Sequence, residues 1–254
     1  MTRIIMSGCS GRMGKVISEI VAADTAAEIV AGIDIVDDGS LGYPVYSDPY
    51  DVTEGADVII DFSSAKVTDK LLKFAADKKL PVVLCTTGLS DEQLKLVDET
   101  AKEIPILRSA NMSLGINTII NLLKTAASVF CPAGFDVEIV EQHHHNKLDA
   151  PSGTALALAD AINEAAGGEY EYIYDRSQRR QKRDAKELGI SAVRAGSIPG
   201  THDVIFAGQD EVIEIRHIAY SRSIFGNGAV SAAKFLAGRA PGMYSMDDVI
   251  KAAL

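Results

Sequence analysis

The sequence predicts an α/β protein: a doubly wound parallel sheet comes first, and an α+β part with a mainly antiparallel sheet follows. Three observations predict this. Up to "IPILRSA" (104–110), short apolar β-branched runs alternate strictly with stretches of helical period, as a parallel sheet with helices on both faces requires. After "NMSLG" (111–115) that alternation stops. Later, "ISAVRAGSIPGTHDVIFAGQDEVIEIRHIAYSR" (190–222) is rich in β-branched residues, with turn signals at Pro199-Gly200 and Gly208-Gln209-Asp210. It reads as an antiparallel meander.

The elements follow in order. "RIIMSG" (3–8) is a buried strand bounded by glycine, and "RMGKVISEIVAA" (12–23) has helical spacing. "EIVAGID" (28–34), "GADVIIDFSS" (55–64), "LPVVLCTTG" (80–88) and "IPILRSA" are four more strands. Between them lie the helical patterns "VTDKLLKFAADKK" (67–79) and "EQLKLVDETAKE" (92–103). The second helix is opened by Ser90 with Gln93 three residues on, a capping-box signature. "INTIINLLKTAASVF" (116–130) is a long helix, "FDVEIVEQHHH" (135–145) alternates as a half-exposed strand, and "GTALALADAINEAA" (153–166) is a helix closed by Gly167-Gly168. The basic stretch "DRSQRRQKRDAKELG" (175–189) reads as a solvated loop or helix face. The end, from Gly226 to Leu254, returns to helix.

Composition narrows the function. A hydrophobic content of 47% with 24% charged residues is that of a folded protein. The formal net charge of −10 repels phosphate backbones, so nucleic acid is not an expected partner, and an anionic substrate needs local positive charge. Three widely spaced cysteines, Cys9, Cys85 and Cys131, make neither a zinc pattern nor a disulfide framework and suit a reducing cytoplasm. No secretory signal or membrane span is expected.

The turn after the first strand, "GCSGRMG", places Gly8, Gly11 and Gly14 between a strand and a helix. A dinucleotide-binding loop needs glycines there for the tight turn, for approach of the pyrophosphate and for helix–strand packing. Asp34 ends the second strand 20 residues past Gly14, where an acid binds the adenosine ribose hydroxyls. A phosphate-binding P-loop is the competing reading; it fails because Cys9 and Val16 stand where Gly and Ser or Thr are required. With Ile35 beside Asp34 and Asp37-Asp38 beyond, charge favours NADH over NADPH, with Arg12 as a loop cation able to reach a 2′-phosphate. Other strand ends, "DFSS" (61–64), "CTTG" (85–88) and "SANMS" (109–113), point to the same sheet edge.

"EQHHHNKLDAPSGTALAL" (141–158) holds three of the five histidines. On a continuing strand His143 and His145 share one face and His144 takes the other. A His-x-His pair binds zinc only with further ligands, for which Glu141 or Asp149 would have to serve. The alternative is an acid–base site: Pro151 in a first helical turn, with Ser152, Gly153, Thr154 and Lys147, suits a carboxylate, and an imidazole beside them suits proton transfer.

"GCSGRMG" together with "EQHHHNKLDAPSGTA" resembles the 4-hydroxy-tetrahydrodipicolinate reductase (dihydrodipicolinate reductase) family of the diaminopimelate route to lysine. The likeness runs on through "DFSS", "CTTG", "SANMSLG", "VRAGSIPGTH" and "FGNGAV", and every fixed position of the family pattern E-x-H-H-x-x-K-x-D-x-P-S-G-T-A is met. The resemblance implies a homotetrameric reductase using NADH or NADPH and no metal. It reduces the small dicarboxylate 4-hydroxy-tetrahydrodipicolinate, through its dehydrated cyclic imine, to tetrahydrodipicolinate. It further implies a Rossmann-like dinucleotide-binding domain over 1–113 and 224–254, and a substrate-binding and oligomerisation domain over 114–223. By matching motifs, His143 is the proton donor and Lys147 the second catalytic group, while His144, Gly153 and Thr154 hold the substrate carboxylates. The cofactor contacts Gly8, Cys9, Ser10, Gly11, Arg12, Met13, Asp34, Cys85, Thr86, Thr87, Ala110, Asn111, Met112 and Ser113. Two departures stand out: Cys85 replaces the family's usual glycine, and Ile35 replaces an arginine of some NADPH-using members. The alternatives are another NAD-dependent dehydrogenase on this scaffold acting on aspartate or a semialdehyde, an NAD(H)-binding sensor, and a zinc hydrolase.

Overall fold

A run of apolar residues with no polar face belongs in the middle of a sheet. Ile4, Ile5 and Met6 are at most 1% exposed, and they lie on β1 (Thr2–Ser7), an interior strand of its sheet. The computed structural model describes residues 1–109 and 111–253. After β1 come α1 (Arg12–Ala22), β2 (Ala27–Ile33), β3 (Val45–Tyr46), a 3-10 turn (Pro49–Asp51), β4 (Val58–Asp61), α2 (Ala65–Lys78), β5 (Val82–Leu84), α3 (Asp91–Thr100) and β6 (Pro105–Arg108). Then follow α4 (Leu114–Phe130), β7 (Asp136–His143), α5 (Gly153–Ala165), β8 (Glu171–Ile173), β9 (Glu187–Arg194), β10 (Gly200–Ala207) and β11 (Val212–Ala219). The chain ends through α6 (Ser223–Leu236), β12 (Gly242–Tyr244) and α7 (Met246–Lys251). It divides into two units, Met1–Leu114 with Arg222–Leu254, and Gly115–Ser221.

The first unit is a seven-stranded sheet in the order β12-β6-β5-β4-β1-β2-β3, parallel throughout. This is the doubly wound, Rossmann-like sheet the alternation predicts. Its order reverses at β1, which puts the β1–α1 turn at the switch point where such sheets bind ligands. One face packs Met6, Ile17, Ile60 and Val230 with α1, α6 and α7; the other packs Ile5, Leu72, Phe74 and Val97 with α2 and α3. The Ser90–Gln93 capping box forms as expected. The carboxyl-terminal segment is not wholly helical, because β12 pairs with β6. Strands of two or three residues such as β3 and β12 show no alternation of their own, and only pairing makes them strands.

The second unit carries a five-stranded mixed sheet, β11-β10-β7-β9-β8. The expected meander does not form. Only β10 and β11 are an antiparallel hairpin; β10 also pairs antiparallel with β7, whereas β9 runs parallel to β7 and β8. The reason is burial at the start of β9: Leu188 and Ile190 belong to the core with Val137, Leu158 and Phe206, so that strand lies inside the sheet. The basic stretch is neither helical nor freely solvated. Arg176 donates to both carboxylate oxygens of Glu138 (2.9 and 2.7 Å), and Arg183 reaches Glu138, Asp136 and three backbone carbonyls. Arg179 lies 2.6 Å from the buried carboxylate of Glu187. The half-buried Glu138 on β7 and the buried Glu187 on β9 demand these counter-charges.

Two glycines fix the β1–α1 turn. Gly8 has φ +79°, and a Cβ there would lie 2.7 Å from the Phe62 carbonyl oxygen; a Cβ on Gly14 would lie 2.3 Å from the Gly8 carbonyl oxygen. Gly14→Ala is therefore expected to lower the unfolding free energy by about 1–3 kcal/mol, the usual cost of overpacking, measured by urea denaturation. An unchanged midpoint would contradict this packing.

Candidate active site

The switch-point turn opens on a cavity of about 330 Å³ lined by Gly8, Gly11, Asp34, Ile35, Phe62 and Ser63 among others. Asp34 follows β2, and one oxygen accepts from the Ser10 N–H at 3.0 Å, which ties loop and acid together. Gly11 caps α1 with no side chain over the helix end. Arg12 is exposed and Met13 half-buried in the first turn of α1, and Cys9 is fully buried, leaving its backbone alone to meet a ligand. A dinucleotide fits these residues: the turn admits backbone close to a phosphate, and the acid stands over the cavity.

At the neighbouring strand ends, Asp61 is fully buried and accepts from Ser63 Oγ (2.5 Å) and Thr86 Oγ1 (2.7 Å). Thr86 thus joins the loops after β4 and β5, while Thr87 is exposed. Burial, and then the Asp61 carboxylate, push the Cys85 thiol well above its ordinary pKa, so it is a neutral group at this edge. Asn111 accepts from the Ser113 N–H at 2.8 Å, and Met112 and Ser113 are buried. Ala110 lies outside the described residues.

In the second unit, β7 ends at His143, and His144 to Asn146 turn away from it. Strand alternation therefore does not govern His144 and His145. Pro151 precedes the helix rather than opening it: Ser152 is the N-cap, its Oγ accepting from the Ala155 N–H at 3.1 Å. Gly153 and Thr154 form the first turn, and nothing lies within 4 Å of the position of a Cβ on Gly153. Lys147 Nζ stands 2.8 Å from Asp149 Oδ1 and holds that carboxyl below its ordinary pKa.

Glu141 organises this site. It is wholly buried, yet it accepts from His143 Nδ1 (2.6 Å), the Ser152 N–H (2.9 Å) and both terminal nitrogens of Arg194 (2.8 and 2.7 Å). Burial alone would raise its pKa; the bonds from Arg194, His143 and Ser152 outweigh burial and keep it ionised. An ionised Glu141 accepts a hydrogen bond from the Nδ1–H of a neutral His143, so Nε2 is the ring's reactive atom. Burial lowers the pKa of His143; Glu141 opposes that shift, and Lys147 and Arg194 reinforce it. Because its carboxylate is spent in this way, Glu141 is not available as a zinc ligand. Among the described residues no three His, Cys, Asp or Glu side chains gather as metal ligands, and no helix is long and apolar enough to cross a membrane.

Two models cover nearly the whole chain: "Dihydrodipicolinate reductase, N-terminus" over residues 2–112 and "Dihydrodipicolinate reductase, C-terminus" over 115–250. A 4-hydroxy-tetrahydrodipicolinate reductase from Caldanaerobacter subterraneus subsp. tengcongensis is 55% identical over 99% of both chains. One from Clostridium novyi is 47% identical over 99% of both. The chain belongs to the dihydrodipicolinate reductase family. A solved dipicolinate-bound dihydrodipicolinate reductase from a Paenisporosarcina species has the same fold, with a TM-score of 0.81, 24% identity, and 98% and 99% of the two chains covered.

Within the family pattern, Glu141 and Ser152 thus have physical tasks of their own: one holds the histidine, the other caps α5 and donates its N–H to Glu141. Two partners escape sequence reasoning. Arg194 is 53 residues from Glu141, and His202, whose Nε2 lies 3.1 Å from Ser152 Oγ, is 50 from that serine. Parallel pairing of β7 with β9, and antiparallel pairing with β10, brings them in. The "VRAGSIPGTH" segment was the available signal.

Burial, and then the nearby charge of His143, push His202 down to about 4 from an ordinary 6.5, and its Nδ1 finds no partner among the described residues. Between those values the unfolded chain binds the proton that the folded chain refuses, so stability falls as pH drops from about 6.5 towards 4. His202→Gln, which keeps a nitrogen near Ser152, should flatten this dependence in urea melts at pH 7 and pH 5. An equal loss in both proteins would contradict it.

Proposed function

We propose that this chain reduces the cyclic imine formed by dehydration of 4-hydroxy-tetrahydrodipicolinate to tetrahydrodipicolinate, with NADH preferred as donor. The observation that carries the reading is the buried Glu141–His143 pair beside Lys147 and the open first turn of α5. The first unit takes the dinucleotide and the second the substrate. Gly8 to Met13 would cradle the pyrophosphate and Asp34 would bind the ribose hydroxyls, with Cys85 to Thr87 and Asn111 to Ser113 along the sheet edge. When bound, the reduced nicotinamide supplies the hydride.

The chain's own residues supply charge and a proton. Lys147, His144 and the α5 N-terminus at Gly153 and Thr154 neutralise the two carboxylates, giving an acidic protein a local positive site. Occupancy of that site cancels the positive field of Lys147 at His143, and the substrate's negative charge raises the imidazole's proton affinity. Nε2 then carries the proton that goes to the carbon next to the one reduced, while Glu141 stabilises the charged ring through Nδ1.

NADH preference is supported by Asp34 in the cavity; Lys70, which lines the same cavity, is engaged by Asp48 at 2.6 Å. Assembly as a homotetramer is supported by the apolar side chains of Val193, Val212 and Ile218, each more than 40% exposed on β9 and β11. A cytoplasmic setting is supported by the free state of Cys9, Cys85 and Cys131.

The test follows NADH and NADPH oxidation on substrate made in situ from pyruvate and aspartate semialdehyde by the preceding synthase. Oxidation with higher kcat/KM for NADH is expected; none with either nucleotide, from folded protein, would overturn the reading. His143→Ala should lower kcat by about 10²–10³-fold in a protein that still folds but melts at a lower temperature, because the buried Glu141 loses one donor. Lys147→Ala should mainly raise substrate KM. In pH profiles of the parent enzyme, the alkaline limb of kcat should lie above that of kcat/KM, because bound substrate raises the His143 pKa; coincident limbs would contradict that step.

A further inference from the structure

Gly200 opens β10 one residue before the Thr201–Gln142 pair, so it stands across from His143 at the end of β7. A Cβ on it would lie 3.1 Å from His143 Nε2, closer than to ring carbons Cδ2 (3.5 Å) and Cε1 (3.9 Å). The crowded atom is thus the ring nitrogen that Glu141 leaves free. The backbone itself makes no demand for glycine here, since Gly200 is not among the residues with positive φ. Nor can the ring retreat. Its Nδ1 is held at 2.6 Å by Glu141, which Arg194 and Ser152 anchor in turn, and the His202 ring packs edge-on with centroids 5.2 Å apart.

We infer that Gly200 is a positioning residue for the reaction: by presenting no side chain, it keeps His143 Nε2 open to the reacting carbon. The inference rests on the proposed role of His143 as proton donor. A methyl group at this position shields Nε2 or tilts the ring off Glu141, and either effect lowers the proton-transfer step without touching the dinucleotide site. Gly200 therefore acts only through His143, and its effect disappears when the imidazole is gone.

The experiment is a double-mutant cycle on the full chain: parent, Gly200→Ala, His143→Ala and the double variant, each assayed for kcat, KM for NADH and melting temperature. His143→Ala is expected to slow kcat by about 10²–10³-fold. Gly200→Ala should slow it by about tenfold with KM for NADH unchanged, the scale expected of a sub-ångström misplacement. The double variant should be no slower than His143→Ala alone. If Gly200→Ala does not fold, adding His143→Ala should restore folding, because it removes the ring that the methyl meets. Parental kcat in Gly200→Ala, multiplicative losses in the double variant, or a double variant that still fails to fold would each overturn the inference. Parental kcat in His143→Ala would instead remove the proton-donor reading, and this inference with it.

Discussion

The second unit is organised around one buried carboxylate. A wholly buried, ionised glutamate is tolerated only if its oxygens are filled with donors, and Glu141 draws those donors from three places: its own strand, the parallel neighbour β9 and the N-cap of α5. Meeting that demand fixes the ring of His143, the start of the helix and the position of Arg194 together. Removing any one partner leaves part of a charge unpaired in the interior, so the arrangement is cooperative. The same demand, at lower stakes, explains the basic loop before β9, whose arginines satisfy Glu138 and Glu187.

The two units build their candidate sites with backbone as much as with side chains. In the first, Gly8 and Gly14 let the turn close tightly against the Phe62 and Gly8 carbonyls, and Asp34 braces it by accepting from the Ser10 N–H. In the second, Lys147 pairs with Asp149, while Arg194 binds Glu141 and His202 meets the Ser152 hydroxyl. The formal charge of −10 thus says little about the site, which is set by a few placed donors.

Much of this was legible in sequence, for physical reasons that differ by element. Strands buried on both faces announce themselves as unbroken apolar runs, which is why β1, β2, β4, β5 and β6 could be read. Gly8, Gly14 and Asp34 were legible because the turn restricts which residues fit. β3 and β12 were not, since pairing alone makes strands of that length. The parallel course of β9 was hidden, because a β-branched run does not say which neighbour it will choose. Residues at the site divide in the same way. His143, Lys147 and the start of α5 are contiguous in the chain, whereas Arg194, Gly200 and His202 reach the site only through the sheet's register.

The central claim is that Glu141 fixes the proton of His143 on Nδ1 and leaves Nε2 to do chemistry. The most direct measurement is the ¹⁵N NMR spectrum of the imidazole nitrogens in the ligand-free protein at neutral pH, with His143 identified by its loss in His143→Gln. The account predicts a neutral ring protonated at Nδ1, and a loss of that preference in Glu141→Gln. A ring protonated at Nε2 in the parent protein, or a preference that survives Glu141→Gln, would contradict it.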